Sequence, residues 1–459
     1  MADTPIATSH DASLIDSIEP ARQAINACVH CGFCLPTCPT YLLNGEEMDS
    51  PRGRIYLADA GLSGRLPVSD RFVRHFDSCL GCLSCVTACP SGVDYAPVIE
   101  SARALVEQHH RRTWKERFFR WILFATLPYP KRLRLMSSAL GLFRSVTPRL
   151  ESSGWMQRLP EHLAALIRLG AAVPQVPLQE IFMRQRSTPP TPTMPFRDRV
   201  GLLTGCVQDA FFDHVNRATI RVFAAEGVET VIPKRSGCCG ALALHAGRED
   251  EARQFAKQTI AAFEIAGVKK IAVNAAGCGS AMKDYGRLLA DDPNWSSRAE
   301  MFAKTVRDVT EVLQDLGSPR AQRHPLPLRL AYHDACHLAH GQRVRQQPRD
   351  LLNTIPELTL VTPAESEICC GSAGVYNLTE PSTATELGTR KILRIREVQP
   401  DAVATANPGC LIQITSIARR QGHLWPILHP IELVDASING LDVNSLLRRV
   451  SARLNFPSQ

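Results

Sequence analysis

The chain has 459 residues, of which 44% are hydrophobic, with 16 cysteines and a formal net charge of +7. At roughly 100–200 residues per domain, this length predicts about two to four domains, and the apolar content is ordinary for a globular protein. No apolar run reaches the roughly 18 residues that a membrane-spanning helix needs.

The first residues carry no sign of export. The stretch MADTPIATSHDASLIDS lacks the basic start and the apolar core of a signal peptide. Many cysteines in a chain without an export signal predict a reducing compartment, in which thiols bind metals more often than they form disulfides.

Two cysteine motifs share the spacing C-x2-C-x2-C-x3-C-P, namely CVHCGFCLPTCP and CLGCLSCVTACP. Three closely spaced thiolates bind three corners of an iron–sulfur cube, and the cysteine before proline typically binds the other cluster. Structural zinc instead uses two ligand pairs. The spacing therefore predicts two [4Fe–4S] clusters with crossed ligation. The predicted ligands are Cys28, Cys31, Cys34 and Cys89 for cluster 1, and Cys79, Cys82, Cys85 and Cys38 for cluster 2.

Forty residues separate the two motifs, far more than a small ferredoxin has. The segments 50–64 and 68–79 are predicted as two helices around a Gly/Pro turn. This resembles the α-helical ferredoxin domain of respiratory dehydrogenase iron–sulfur subunits. Arg52 and Arg54 are expected to pair with nearby acids rather than to tune the clusters. Those acids are Glu46, Glu47 and Asp49.

The segment 109–135 carries eight Lys/Arg and one acid, a net charge of 8 − 1 = +7. Trp114, Phe118 and Trp121 follow helical spacing, which predicts one apolar and one basic face. Two interpretations stay open: an interfacial helix on anionic lipid, or a helix that links domains or packs on a partner, with solvated basic side chains. No recognition motif for nucleic acid accompanies the charge, so no nucleic-acid partner is expected.

A Pro/Thr-rich linker, STPPTPTMPFRD, predicts a domain boundary near residue 195. The predicted organisation has a ferredoxin domain, a basic helical segment with the linker, two cysteine-rich domains and a C-terminal tail. Their ranges are 1–105, 106–195, 196–322, 323–445 and 446–459.

A second repeat fills the chain after this linker. Its copies contain SGCCGAL and EICCGSAG, each between two further cysteines at matching intervals. Short apolar strands alternate with amphipathic helices, which predicts parallel α/β sheets with cysteines at their ligand-binding edges. The predicted fold class is therefore multidomain, with a mainly α-helical ferredoxin domain and duplicated α/β cysteine-rich domains. The cysteines are Cys206, Cys238, Cys239 and Cys278, and Cys336, Cys369, Cys370 and Cys410.

These copies resemble the cysteine-rich CCG domains of heterodisulfide reductase and related oxidoreductases. One cysteine of that pattern is replaced in each copy, by Ala275 and by Asn407. The four thiols per copy leave two possibilities open: a further iron–sulfur centre, or metal-free thiols that line the interface between the halves. His333, Asp334 and His337 surround Cys336, for proton handling or, as we expect, for hydrogen bonding in the core.

The whole arrangement resembles the iron–sulfur subunits of bacterial glycolate oxidase, most clearly in CVHCGFCLPTCPTY, DSPRGRIYL, CLGCLSCVTACPSGVDY and TGCVQDAFF. The resemblance implies electron transfer from partner flavoprotein subunits, which oxidise glycolate to glyoxylate, toward a quinone-type acceptor. It implies a cytoplasmic subunit, peripheral on a bacterial inner membrane. FAD is expected only in the partners, because no Gly-rich dinucleotide fingerprint is present, and no catalytic residue is assigned to this chain.

Three alternatives stay open. The first is the iron–sulfur subunit of an anaerobic glycerol-3-phosphate or lactate dehydrogenase complex. The second is a heterodisulfide-reductase-like thiol–disulfide catalytic subunit, against which the replacements at Ala275 and Asn407 argue. The third is a metal-free scaffold, which iron and sulfide analysis would identify.

Overall fold

The computed structural model describes residues 12–141, 147, 150, 154–174, 194–234 and 236–454. They form a helical N-terminal unit, a helical connecting segment and two α/β units with parallel sheets, in agreement with the predicted fold class. The part of the predicted Pro/Thr linker that ends at residue 193 lies outside the described residues. Within the described ranges, no helix is both long and apolar enough to span a bilayer.

The N-terminal unit contains both helices predicted between the cysteine motifs. The first begins at Pro51, and its cap is Ser50, whose hydroxyl accepts a hydrogen bond from the Gly53 amide at 3.1 Å. Apolar side chains such as Phe76 and Val98 pack into a core that borders the thiols. The helices are Ala12–Asn26, Pro39–Asn44, Pro51–Leu62, Asp70–Asp77, Ser84–Ala88 and Tyr95–His109, with short 3-10 turns at Leu35–Thr37 and Glu47–Asp49.

The connecting segment begins with a helix capped by Thr113 and Glu116, which bond reciprocally to each other's backbone amides. Leu123 is buried on its inner face, whereas Trp114 and Trp121 are 72% and 61% exposed. The aromatic stripe that the sequence predicts therefore lies on the outer surface. The helices of this segment are Trp114–Thr126, Pro130–Gly141 and Glu161–Ala172, with a 3-10 turn at Trp155–Arg158.

Three of the eight basic residues in this segment point inward, which corrects the expectation of a fully solvated basic face. Arg112 binds Asp77 at 2.7 Å, and Arg120 binds Glu107 at 2.7 Å. Arg134 is buried and bound to a carboxylate of the first α/β unit. The partner carboxylates are only half-buried, and pairing with them compensates the charge of each inward-pointing guanidinium group. The exposed basic residues are Arg111, Lys115, Arg117, Lys131 and Arg132.

Each α/β unit has a four-stranded parallel sheet with the same topology. The first has the order β2-β1-β3-β4 and the second the order β6-β5-β7-β8. The first sheet consists of β1 Asp198–Leu203, β2 Val228–Val231, β3 Lys270–Val273 and β4 Val306–Asp308. The second consists of β5 Arg329–Tyr332, β6 Thr359–Val361, β7 Ala402–Ala404 and β8 Ile427–Leu428.

Helices connect these strands, as parallel pairing requires. The first unit contains Val207–Phe211, Asp213–Ala225, Ala241–His245, Glu249–Ala266, Ala276–Lys283, Tyr285–Leu288, Ser296–Thr305 and Val309–Asp315. The second contains a π-helical turn at His337–Gly341 and the helices Gln347–Asn353, Tyr376–Thr379, Pro381–Glu397, Pro408–Arg420 and Pro430–Ile438, and Val443–Leu454 ends the described chain.

The two α/β units share one hydrophobic core. The helix Asp213–Ala225 packs against Pro430–Ile438, and Arg221 pairs with Asp435 at 2.5 Å across this contact. The Ala276 amide donates to the Ala406 carbonyl at 3.0 Å. Ala276 and Ala406 lie within three residues of the ends of β3 and β7, so this bond joins the loops at the carboxyl ends of these strands, near Cys278 and Cys410.

Candidate metal centres

The first N-terminal thiol set lies around one small cavity. The structure places all four predicted ligands of cluster 1 on its wall, together with Arg52 and Tyr95. Cys89 comes from the second motif, as does Cys85, which also lines this cavity, so the two motifs meet here and the assignment of four ligands to cluster 1 stays a prediction. The loop needs Gly32, whose φ is +88° and whose Cβ would lie 2.8 Å from the Arg52 guanidinium. The four are Cys28, Cys31, Cys34 and Cys89.

The second set surrounds Cys85. Burial raises the pKa of the Cys85 thiol, and the neighbouring thiols of Cys82, Cys79, Cys38 and Cys34 add to this effect in that order. Cys38, from the first motif, therefore lies near the three thiols of the second motif, with Cys34 the next contributor. A bound cationic metal would favour the thiolate forms of these cysteines. This donor set suits an iron–sulfur cluster, although the ligand assignment itself stays a prediction.

Arg52 and Arg54 pair with local acids, as predicted. Arg52 binds Glu47 at 2.6 Å on the surface, whereas Arg54 is 1% exposed and binds Asp49 at 3.2 Å. Arg54 also donates to the Asp49 carbonyl and to Thr40 Oγ1 at 3.0 Å, and its Nη1 lies 4.0 Å from Cys38 Sγ. Arg54 therefore holds the loop that carries Cys38 as well as its acid partner.

In the first α/β unit, the four cysteines converge from three segments. Cys206 follows β1, Cys238 and Cys239 follow β2, and Cys278 lies on the helix after β3. Hydrogen bonds from Cys238 and Cys278 lower the pKa of Cys239 well below its usual value, and the bond to Cys239 raises the pKa of Cys278. These contacts bring together all the cysteines that the sequence assigned to this copy.

The second unit repeats this grouping. Hydrogen bonding to Cys369 and burial raise the pKa of Cys336, and Cys370 contacts both Cys369 and Cys410. A ring nitrogen of His333 and the sulfurs of Cys370 and Cys410 lie within 4.8 Å of one another. The second unit therefore adds an imidazole to its four thiols.

The predicted gaps in the cysteine pattern lie at the junction of the two units. Ala275 is buried and precedes the helix that carries Cys278. Asn407 donates from Nδ2 to Cys410 Sγ at 3.6 Å and accepts from the Gly277 amide at 3.3 Å. A cysteine at Asn407 would lose the bond to Gly277, so the amide serves the contact between the units.

A cavity of about 190 Å³ lies between the two units and the connecting segment, and its wall is mainly apolar. The imidazoles of His245 and His337 stand 4.8 Å apart on its wall, measured between ring centroids. Thiols of both units line it, which leaves open both alternatives stated above, a further iron–sulfur centre or metal-free thiols. They are Cys206, Cys238, Cys239, Cys278, Cys336, Cys369 and Cys410.

The N-terminal thiols contact the second unit directly. Cys82 packs in one apolar cluster with Cys336 and Cys369, and the charge on Cys336 contributes to the raised pKa of Cys82 after burial. Tyr376 donates to the Ser78 carbonyl at 3.0 Å, close to the same junction. The predicted ligand set of cluster 2 therefore adjoins the thiols of the second unit.

The polar residues around Cys336 divide into different roles. Asp334 forms a two-point ion pair with Arg349 at 2.7 Å, so it is occupied structurally. His337 Nδ1 contacts Cys336 Sγ at 3.6 Å. His333 does not form the core hydrogen bonds that we expected, because neither ring nitrogen has a partner among the described residues.

Two buried residues near the thiols were not identified as site residues from the sequence. Tyr285 donates from its hydroxyl to the Cys239 carbonyl at 2.7 Å. Lys391 is buried, and this burial lowers its pKa to about 8, although the charges of Cys370 and Cys369 oppose the shift. Neither residue lies in a recognisable motif, since each approaches the thiols from a separate helix.

Comparison with known families divides the chain in the same way. Residues 24–93 match the 4Fe-4S dicluster domain, residues 115–169 match the linker region of the glycolate oxidase iron-sulfur subunit, and residues 200–283 and 330–415 match the cysteine-rich domain. With the thiol groups described above, these matches define the class: an iron–sulfur electron-transfer protein with a dicluster domain and two cysteine-rich domains.

The curated relatives narrow this class. A probable glycolate oxidase iron-sulfur subunit from Bacillus subtilis (strain 168) is 36% identical over 86% of this chain and 89% of its own length. The glycolate oxidase iron-sulfur subunit of Escherichia coli (strain K12) is 32% identical over 91% and 95%. The chain belongs to the glycolate oxidase iron–sulfur subunit family.

Two more distant similarities add less. Lactate utilization protein A from an Exiguobacterium species is 28% identical over 52% of this chain and 98% of its own length. A solved structure of a hypothetical protein from Helicobacter pylori superposes with a TM-score of 0.54 over 95% of this chain and 78% of that one. At 10% identity, that likeness shows the fold alone.

Proposed function

We propose that this chain is the electron-transfer subunit of a flavin-dependent glycolate-oxidising complex and passes electrons from a partner flavoprotein toward a quinone-type acceptor. The observation that carries the proposal is that Cys82 lies in the same buried apolar cluster as Cys336 and Cys369, where the dicluster unit adjoins the second cysteine-rich unit. The family matches support glycolate as the source of the electrons, because two relatives that align with most of this chain are named as glycolate oxidase subunits.

The proposed clusters in the dicluster unit have crossed ligation. Cys28, Cys31, Cys34 and Cys89 would hold cluster 1, and Cys79, Cys82, Cys85 and Cys38 would hold cluster 2. The cavity that contains Cys89 and the grouping of Cys38 around Cys85 support this assignment. A Cys38→Ser variant should perturb the EPR signal of cluster 2, and Cys89→Ser that of cluster 1. The reverse pattern would show that ligation is not crossed.

A further iron–sulfur centre in the cysteine-rich units completes the proposed route. Electrons would move from cluster 1 to cluster 2 and then, across the Cys82–Cys336 contact, to the second unit and the apolar cavity. Buried thiols in mutual contact are the donors that iron–sulfur clusters take. We propose that the acceptor is reduced on this side, while FAD and the glycolate site lie in partner subunits.

The exposed aromatic stripe of the helix Trp114–Thr126 supports a docking role for this segment. Trp114, Phe118 and Trp121 are exposed beside the exposed cations Lys115 and Arg117. Aromatic rings next to cations suit the headgroup region of an anionic membrane. We propose peripheral membrane contact here, on the cytoplasmic side of a bacterial inner membrane. We also propose domain boundaries near residues 105, 195, 322 and 445.

Lactate is the alternative candidate for the substrate of the partner flavoprotein, because lactate utilization protein A is a relative. That relative aligns with only 52% of this chain, however, whereas the glycolate oxidase subunits align with 86% and 91%. The longer matches favour glycolate.

The test is anaerobic purification of the chain alone and with its native partners, followed by glycolate addition. In the flavin-containing complex, we expect glycolate to reduce the clusters, as read by EPR, and to support quinone reduction. The flavin-free chain should neither oxidise glycolate nor show cluster reduction by it. Reduction by lactate or glycerol 3-phosphate but not by glycolate would overturn the substrate assignment.

A further inference from the structure

The imidazole of His333 has no structural partner. The side chain is 1% exposed, and neither ring nitrogen forms a hydrogen bond within the described part of the chain. The Ser366 carbonyl influences the ring but falls outside hydrogen-bond geometry. One nitrogen of a neutral imidazole carries a lone pair that can bind a metal. Buried polar groups normally find partners, and one without any calls for a ligand.

The thiols beside His333 identify this ligand. A ring nitrogen, Cys370 Sγ and Cys410 Sγ lie within 4.8 Å of one another, a spacing that a shared metal can bridge with bonds of roughly 2.0–2.3 Å. We propose that His333 is a nitrogen ligand of an iron–sulfur centre in the second cysteine-rich unit, together with Cys336, Cys369, Cys370 and Cys410. The inference rests on the proposed function, which places a further centre in these units.

The first cysteine-rich unit shows that the fold itself does not require this histidine. His333 stands three residues before Cys336, and the residue three before Cys206 is Leu203, which is 2% exposed. An apolar side chain therefore fills the same place in the duplicated sheet. Since a buried imidazole without partners is less favourable than leucine there, we attribute its presence to ligation.

Each unit lacks one cysteine of the family pattern, at Ala275 and at Asn407, and in the second unit His333 supplies an additional donor. Asn407 stands in place of a cysteine, and its amide is bonded to Cys410 and to Gly277 of the other unit. An amide nitrogen is a poor ligand for iron, whereas a neutral imidazole is a common one. The second unit therefore has five donors, four thiols and one imidazole, and the first has four thiols.

A buried cation distinguishes the two units further. Lys391 is buried and donates to the backbone carbonyls of Glu365 and Ser366. In the first unit, Thr259 occupies the position that Lys391 has in the second. Each residue lies seven positions after an alanine, Ala252 or Ala384, and that alanine packs closely against the glycine that follows the double cysteine, Gly240 or Gly371. A fixed positive charge near thiolates stabilises their anionic form. The His333 imidazole and the Lys391 cation both lie in the second unit. We therefore expect the second unit to bind an iron–sulfur centre more stably than the first.

The test compares three variants of the full chain, purified anaerobically with iron and sulfide. His333→Leu copies the residue of the first unit, His333→Cys restores a thiolate, and His337→Leu is the matched control. Mössbauer spectra of ⁵⁷Fe-loaded protein count the iron, and pulsed EPR of protein labelled with ¹⁵N-histidine detects directly bound nitrogen. The EPR signals of the two N-terminal clusters, measured in each sample, report whether the dicluster unit is intact.

In the wild type we expect iron beyond the two N-terminal clusters and a strong histidine nitrogen coupling. His333→Leu should lose the coupling and most of the additional iron, and His333→Cys should keep the iron without the coupling. His337→Leu should retain both. The proposal is overturned if His333→Leu keeps the wild-type spectrum, if only His337→Leu removes the coupling, or if the additional site holds zinc or no metal. Loss of the N-terminal signals in the wild type would instead contradict the proposed function.

Discussion

Replacement of Arg54 by methionine should loosen cluster 2 while leaving cluster 1 in place. Arg54 is 1% exposed and donates to Asp49, Thr40, the His75 carbonyl and Ser78. Methionine keeps most of the apolar stem but leaves the Asp49 carboxylate with less compensation. Removal of one partner from a buried ion pair costs about 3–5 kcal/mol.

This loss can be converted into a measurable shift. With a urea slope of about 2 kcal/mol/M, a loss of about 3–5 kcal/mol moves the unfolding midpoint of the dicluster unit down by about 2 M. Arg52→Met is the matched control, because its pair with Glu47 is on the surface, with the two side chains 29% and 42% exposed. Exposed pairs contribute about 0–1 kcal/mol, so its midpoint should move by less than about 0.5 M.

The assay follows cluster absorbance anaerobically as urea is raised, with EPR on the same samples to identify which cluster is lost first. In Arg54→Met, cluster 2 should be lost first, because Arg54 lies 4.0 Å from Cys38 Sγ. Arg54→Lys should lie between wild type and Arg54→Met, since it restores charge without the planar fork. Equal midpoints for Arg52→Met and Arg54→Met would refute the reasoning.

Three further predictions concern function. Cys370→Ser should lower the rate of glycolate-to-quinone transfer more than Cys239→Ser, since the second unit adjoins cluster 2; equal losses in protein with both N-terminal EPR signals would contradict the proposed order. Reversal of Arg111, Lys115 and Arg117 to Glu should reduce co-sedimentation with anionic vesicles at least several-fold, and unchanged binding would favour a docking role toward protein. Chelation of iron from the complex should abolish quinone reduction but leave dye-linked glycolate oxidation at the flavin, and loss of both activities would place the flavin site in doubt.

Much of the fold could be predicted because its signals are local. The cysteine spacing predicts the two N-terminal groups, and six of the eight strands follow short apolar runs such as those of β1 and β5. The edge strands β4 and β8 were not predicted, because neither contains an apolar run: β4 is Val-Arg-Asp and β8 is only Ile-Leu. Pairing with β3 and β7 defines these strands, so no local pattern reveals them.

The site was predictable only in part for a related reason. The grouping of cysteines follows from repeated motifs, but the position of His333 beside Cys370 and Cys410 depends on how β5, β6 and β7 align. Lys391 approaches from a helix in the middle of the unit, and its neighbours in the chain carry no metal signature. The sequence also does not determine which face of the helix Trp114–Thr126 packs against the core. In the structure, the face with Leu123 is buried and the face with Trp114 is exposed.

The shared core of the two α/β units constrains the order in which the protein folds during its synthesis. Asp435 meets Arg221 across 214 positions of the chain, so the first sheet receives its last packing partner only when the ribosome has nearly finished. The core of the dicluster unit, by contrast, is built from residues 24–106, which emerge early, and Tyr376 adds its bond to the Ser78 carbonyl only when the second unit is present. We therefore expect nascent chains to acquire the N-terminal clusters while the rest is still unfolded. The cysteine-rich units share their core, so we expect their thiols to come together only after both units have been synthesised.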